Sequence, residues 1–336
     1  MKNVNIVYPN KQSIADILNK QVDVTIDLIE NNDSQNQLYY GDNLRLLYYL
    51  YNLKKQNNFE GIDLIYIDPP FMTGKKFKNK NDELCYYDTL EDDQYLEFLR
   101  MRLILMREIL KETGSIYVHL DWHAGHYVKV MMDEIFGEKN FRNEIIWCYA
   151  GREAPVKYKF SRKHDSILYY TKTDNYVFNV EYEPYDENYV KLYFTHKDEC
   201  GRFFQWQPDG KGGRYKQYLD KSKGIPLRDW WEIKPVHGVD YMKRNETKRE
   251  WQGYLNQKPE ALLERIVKVS SNEGNFVADF FCGSGTTLAV AEKLGRRWIG
   301  CDNSKLPIKI TKDRLNKQYI GYNFYGTKCY NFYEIK

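Results

Sequence analysis

Residues Phe276–Asp302 read FVADFFCGSGTTLAVAEKLGRRWIGCD. A short apolar run ends at the acid Asp279 and gives way to the turn Cys282-Gly283-Ser284-Gly285. Apolar residues at helical spacing start near Thr286, and a second apolar run ends in another acid, Asp302. Strand, glycine turn, helix and strand in this order predict part of an α/β sheet. A glycine turn lets a ligand approach the backbone closely, and the helix N-terminus behind it presents free N–H groups. An acid at the tip of the following strand can accept both hydroxyls of a ribose.

Two common nucleotide patterns fail here. Leu288 stands where a dinucleotide fingerprint needs its third glycine, and no Gly-Lys-Ser/Thr follows for a phosphate loop. Asp279 ahead of the turn makes little sense beside a phosphate. It makes good sense beside an α-amino group or a sulfonium. The ligand suggested is S-adenosylmethionine.

The alternation continues through most of the chain. A short strand is expected at Leu38–Tyr40, a turn at Gly41-Asp42 and a helix from about Asn43. Asp63–Ile67 reads as a strand, and LEDDQYLEFLRMRLILMREIL as an amphipathic helix opening with acids. GSIYVHL, NEIIWCY and HDSILYYTK read as strands, HYVKVMMDEIFG and PEALLERIVKVSS as helices. From about Asp174 to Asn256 the rhythm breaks into a segment rich in Tyr, Trp, Lys, Gly and Pro. The expected fold is α/β, a doubly wound, mostly parallel Rossmann-like sheet with an irregular insertion. The expected organisation is an N-terminal extension over 1–37, one half of the core over 38–173, the insertion over 174–256, and the cofactor-binding half with a tail over 257–336.

Composition narrows the class. With 42% hydrophobic and 29% charged residues in 336, the chain reads as globular with a substantial core. A net charge of +3 is too small to prove a polyanionic partner, so the position of the bases matters more than their number. The six cysteines form no CxxC pair, which supports neither a disulfide framework nor a thiolate zinc site. No signal-peptide pattern and no membrane-length apolar run is present, so a reducing cytoplasm is expected.

The strand Asp63–Ile67 ends in Asp68-Pro69-Pro70-Phe71: a carboxylate, a stiff backbone and a flat ring. Read with FCGSGTT, this DPPF resembles the motifs of the DNA amino-methyltransferases that modify exocyclic nitrogens. In that family an (Asp/Asn/Ser)-Pro-Pro-(Tyr/Phe/Trp) motif ends the catalytic strand, and F-x-G-x-G binds S-adenosylmethionine. The order here, DPPF first, a variable region next and the glycine turn last, is similar to the circularly permuted β group. GDNL, GSIYVHLDWH, NEIIW, RKHDSILYYTK and QKPEALLERI fit the same pattern. The resemblance covers roughly Leu38 to Leu315. The family usually has Asp-Pro-Phe where this chain has Asp279-Phe280-Phe281, which leaves that turn freer.

The resemblance implies roles for single residues. Asp68 and the Pro69 carbonyl would accept hydrogen bonds from the target NH2, Pro70 would stiffen the loop, and Phe71 would stack on a flipped base. Asp68 points to N6 of adenine, because members that modify N4 of cytosine mostly begin with Ser. Asp279 would face the methionine end of the cofactor, and Phe281, Gly283 and Gly285 would form its turn. Asp302 would take the ribose, Asp42 the adenine amino group and Lys258 the carboxylate. In the insertion, Lys211, Arg214 and Lys216 belong to the expected target-recognition region. Arg152, Lys157, Lys159, Arg162 and Lys163 suit DNA-backbone contacts.

His119, Asp121, His123 and His126 superficially suggest a metal site. They straddle a strand end and a helix start without a fixed i, i+4 pair, so no metal is expected and a structural role at the cleft edge is. The expected partner is double-stranded DNA. A homodimer follows by analogy alone, and any restriction function requires a separate endonuclease chain. Cytosine N4 transfer and a catalytically silent DNA-binding subunit are the alternatives. RNA as substrate also stays open.

Overall fold

The computed structural model describes residues 4–71, 75–78, 84–88, 92–149, 156–236, 250–254, 256–322 and 330–336. A ten-stranded sheet carries the fold. Its strands are β1 (Ile26–Glu30), β2 (Gln37–Tyr40), β3 (Ile62–Ile67), β4 (Leu110–Leu120), β5 (Phe141–Cys148), β6 (His164–Thr171), β7 (Trp230–Glu232), β8 (Phe276–Asp279), β9 (Arg297–Asp302) and β10 (Asn331–Ile335). Their spatial order is β1-β10-β2-β9-β8-β3-β4-β6-β5-β7. From β10 to β4 every pairing is parallel, whereas β6 runs antiparallel to both its neighbours and β1 antiparallel to β10.

The helices are α1 (Ile14–Asn19), α2 (Asn43–Lys55), α3 (Asp92–Ile109), α4 (Gly125–Phe136), α5 (Glu260–Ser270), α6 (Thr286–Lys293) and α7 (Lys305–Tyr322). β3 is buried along its whole length, as a strand covered on both faces must be. Its alternate residues feed two cores. Ile65 and Ile67 join the core of α2, α3 and α4, while Leu64 and Tyr66 join that of α5 and α6.

β2 comes first in sequence among the parallel strands yet lies beside β9, one of the last. This is the placement expected of a permuted chain. The parallel strands end at one edge, so Asp42, Asp68, Asp279 and Asp302, each at or just past a strand end, gather there.

The ends of the chain take more part in the sheet than the sequence signals suggest. Within residues 1–37, α1 buries Ile17, whose carbonyl accepts from Tyr48 Oη at 2.9 Å, and β1 closes one edge of the sheet. β10 inserts between β1 and β2.

Within residues 174–256 a second compact unit spans Val180–Arg228. Trp230–Glu232 rejoins the main sheet beside β5, because Trp231 and Trp147 are both buried there and Trp147 Nε1 donates to the Ile233 carbonyl at 2.8 Å. The second unit has an antiparallel sheet of His196–Lys197, Phe203–Pro208 and Arg214–Tyr218, and a helix Glu187–Tyr193 capped by Asp186. Among the described residues no helix is long and apolar enough to cross a membrane.

Candidate active site

β3 delivers Asp68 to the sheet edge. Asp68 Oδ2 accepts from Lys258 Nζ, which comes from the segment preceding α5. Asp68 Oδ1 is buried and has no hydrogen-bond partner among the described residues. The Lys258 ammonium also lies 5.4 Å from the centre of the Phe71 ring. Pro69 between them is buried and Pro70 half-buried, and the peptide bonds of the loop are trans.

Behind Phe71 sits a buried relay of polar groups. The His119 ring faces that of Phe71 at 6.0 Å and 29°. Tyr66 Oη bonds His119 Nδ1 at 2.8 Å, and His119 Nε2 bonds Asp165 Oδ2 at 3.2 Å. Tyr149 Oη donates to the other oxygen of Asp165 at 3.1 Å. His119 therefore supports the motif ring from β4, and its residue type alone could not reveal this. Asp121 and His123 bond each other at 2.6 Å beside it.

The glycine turn is built around two carboxylates. Asp279 Oδ1 accepts from the Phe281 N–H at 3.0 Å and Oδ2 from Thr287 Oγ1 at 2.6 Å. Asp302 Oδ2 accepts from the Gly283 N–H at 3.0 Å and Oδ1 from that of Ser304 at 2.9 Å. Burial pushes the Asp279 carboxyl up to about 7, with the Asp68 and Asp302 charges adding to the shift. Burial likewise raises Asp302 to about 6. Gly283 and Gly285 hold φ of 49° and 72°, the left-handed region that favours glycine. A Cβ on Gly285 would lie 2.7 Å from Thr311 Cγ2, so α7 packs directly on the turn.

Asp42 caps α2 by accepting from the Leu44 N–H at 2.9 Å, and Arg102 Nη2 donates to the same oxygen at 3.0 Å. Arg102 also donates to Asn43 Oδ1 at 2.6 Å, and Asn43 Nδ2 to the Phe280 carbonyl at 2.6 Å. One arginine thus ties the GDNL turn to the residue before Phe281. Burial lowers Arg102 to about 10, and Asp42 opposes that shift. Phe281 meets Phe98 edge-on at 6.2 Å. Arg102 and Thr287 escaped the sequence reading, although Asn43 in GDNL and the threonine pair after Gly285 were visible.

A cleft with room of about 30 Å³ is lined by Tyr66, Asp68, Tyr254, Lys258, Asp279, Phe281 and Gly283, whereas Asp42, Phe71, Gly285 and Asp302 are not among its lining residues. A nucleoside-sized ligand needs roughly ten times more. Tyr254, whose ring would be 3.3 Å from a Cβ on Gly283, and the Lys258–Asp68 pair must give way to admit one.

Of the expected backbone contacts, Lys157, Lys159 and Arg162 are exposed, Lys163 is half-buried, and Arg152 lies outside the described residues. The Arg162 guanidinium lies 3.6 Å from the centre of the Trp122 ring. Lys211, Arg214 and Lys216 are exposed in the second unit. There Lys216 covers Phe204 and Trp206 at 4.7 and 5.7 Å.

The model of the DNA methylase family for N6 and N4 modification matches residues 62–313. The Type II methyltransferase M.EcaI of Enterobacter cloacae is 32% identical over 297 residues, covering 75% of this chain and 64% of that protein. The chain thus spans somewhat less than two thirds of that relative's length. The DNA adenine methyltransferase YhdJ of Escherichia coli is 28% identical, covering 76% of this chain and 77% of its own. The cytosine-N4-specific PvuII DNA methyltransferase superposes with a TM-score of 0.52 at 16% identity, covering 86% and 90% of the two chains, and so shares the fold. The family match extends from β3, which carries DPPF, to α7, which packs on the glycine turn, and the chain belongs to the DNA methylase family of N6-adenine and N4-cytosine amino-methyltransferases.

Proposed function

We propose that the chain transfers a methyl group from S-adenosylmethionine to N6 of an adenine flipped out of double-stranded DNA. The observation that carries this reading is Asp68, a strand-end carboxylate with one buried, unpartnered oxygen between a base-stacking ring and a glycine turn. YhdJ, named an adenine methyltransferase, supports the choice of base.

S-adenosylmethionine supplies an activated methyl group on a sulfonium. Asp279 would hold its cationic methionine end, Asp302 its ribose and Asp42 its adenine amino group. Lys258 would serve its carboxylate in place of Asp68. That exchange would free Oδ2, while Oδ1 already has no partner among the described residues. Oδ1 of Asp68 and the Pro69 carbonyl then accept hydrogen bonds from the target amine. An aromatic amine is a poor nucleophile because its lone pair is delocalised, and two acceptors favour a pyramidal nitrogen whose lone pair points at the methyl. Phe71 holds the flipped base by stacking, worth about 1–3 kcal/mol. That offsets part of the few kcal/mol spent on unstacking it.

Lys157, Lys159, Arg162 and Lys163 contact the DNA backbone from the core, and Lys211, Arg214 and Lys216 contact it from the insertion, the target-recognition region. Arg152 belongs with the first group by sequence. The name of another relative, the Type III restriction-modification enzyme StyLTI Mod subunit of Salmonella typhimurium, supports a cytoplasmic, nucleoid-associated enzyme with a separate endonuclease partner, and a homodimer is the expected assembly.

The test is nucleoside mass spectrometry of mixed-sequence DNA incubated with the protein and methyl-labelled S-adenosylmethionine. Label in N6-methyladenine is expected. Label in N4-methylcytosine overturns the base assigned from Asp68, and no label in DNA overturns the proposal.

A further inference from the structure

The loop from β5 to β6 leaves the sheet at the same edge as Asp68, because β5 runs parallel to β4 and β3. Its base is fixed. The Tyr149 N–H donates to the Lys163 carbonyl at 3.0 Å, and Arg162 stacks on Trp122, just past the end of β4. Asp165, two residues past Lys163, bonds the His119 that supports Phe71. The loop therefore springs from the wall of the cleft.

From Val156 to Phe160 the side chains are exposed. Tyr158 is 96% exposed and Phe160 95%, far more than any other exposed aromatic among the described residues; the next, Tyr127 and Phe178, are at 53%. Two rings this bare gain nothing from the core and carry a hydration cost. Lys157, Lys159, Arg162 and Lys163 surround them, and no acid occurs between Val156 and His164. Cations that bind phosphate and uncovered rings that stack on bases form one surface for a nucleic acid.

The proposed reaction needs a base removed from the duplex, which leaves a gap with unstacked neighbours. We infer that Tyr158 and Phe160 form a wedge that enters the duplex and fills the gap left by the flipped adenine, while the neighbouring lysines hold the flanking phosphates. This rests on the function proposed above. It adds to Phe71, which stacks on the base once outside, a second aromatic element acting on the duplex left behind.

The experiment uses the full chain and a duplex containing the adenine that the nucleoside analysis and site mapping identify. It compares wild type, Tyr158→Ala/Phe160→Ala and Lys157→Ala/Lys159→Ala. Each is assayed on the normal duplex and on one whose target adenine faces an abasic position. Both rings are almost wholly exposed, so their removal leaves the fold intact. The ring variant should lose about 10- to 100-fold in kcat/KM on the normal duplex. It should regain most of this on the unpaired one, where opening costs less. With 2-aminopurine at the target, its fluorescence rise on binding should be lost or reduced on the normal duplex. The lysine variant should lose affinity on both duplexes alike and show a shallower salt dependence. Ring-variant activity within about twofold of wild type overturns the wedge, as does a loss not recovered on the unpaired duplex. Wild-type failure on both duplexes overturns the proposed function itself, and the wedge with it.

Discussion

Lys258 and Asp68 form an ion pair across the mouth of the cleft, joining the segment before α5 to the end of β3. In the proposed reaction the cofactor carboxylate would draw the lysine away from this carboxylate. Asp68→Ala should lower methyl transfer by at least about 100- to 1000-fold, since an acceptor for the reacting amine is gone. The same variant should bind S-adenosylmethionine at least as tightly as wild type, because Lys258 no longer has to leave a partner. Single-turnover transfer assays and titration calorimetry check the two halves. Weakened binding would contradict the exchange of partners.

Asp279 carries a pH dependence. Its carboxyl is raised to about 7, and a cationic ligand end binds its ionised form. Cofactor affinity should therefore rise as pH increases towards 7 and level off above it. Folding shows the opposite slope. Between the unfolded value of about 4 and the folded value, the native chain keeps a proton that the unfolded chain has lost, so stability falls as pH rises through that window. Asp279→Asn should flatten both profiles and raise the Tm of the ligand-free chain at pH 8 while weakening binding. Calorimetry from pH 5.5 to 8 and thermal melts measure these slopes.

Gly285→Ala should destabilise the chain by about 2–4 kcal/mol, because it adds a left-handed backbone penalty to an overlap with Thr311. Gly274→Ala separates the two causes. Gly274 has φ of 78° but open space around the new methyl, so only the backbone penalty applies. Denaturant unfolding of both variants gives the difference, and equal losses would remove the packing argument.

His119→Ala should cost about 2–4 kcal/mol, since it opens a cavity and strips partners from Tyr66 and Asp165. Phe71 loses its supporting ring, so KM for DNA should rise while the dissociation constant for cofactor stays unchanged. His119→Phe keeps a ring behind Phe71 and should restore KM without restoring stability. Steady-state kinetics beside unfolding curves separate the two effects.

The residues that could be read from sequence were those whose signals are local. The apolar runs Leu64–Ile67 of β3 and Phe276–Ala278 of β8 each lead into an acid, and the turn after β8 needs its glycines for backbone reasons visible in four letters. β1 and β10 carried no such signal. Their residues are mostly half-exposed or exposed, and their pairing partners lie about 300 positions apart in sequence. Trp230–Glu232 falls within the expected insertion because three residues show no period; only the burial of Trp231 beside Trp147 reveals the strand. Arg102 sits mid-helix among apolar residues, and nothing local says that it reaches Asp42 and Asn43. His119 is one of several histidines in HLDWHAGH, and its partners, Tyr66 and Asp165, come from two other strands.

The insertion of β10 between β1 and β2 has a consequence for synthesis. A ribosome releases β1 and β2 long before β10, the strand that joins them. Until then both have unpaired edges, which invite pairing with other chains. Contacts this distant in sequence also form slowly. The cofactor-side flank of the sheet should therefore close only after β10 has been made, whereas β3 and β4, which lie closer together along the chain, can pair much earlier.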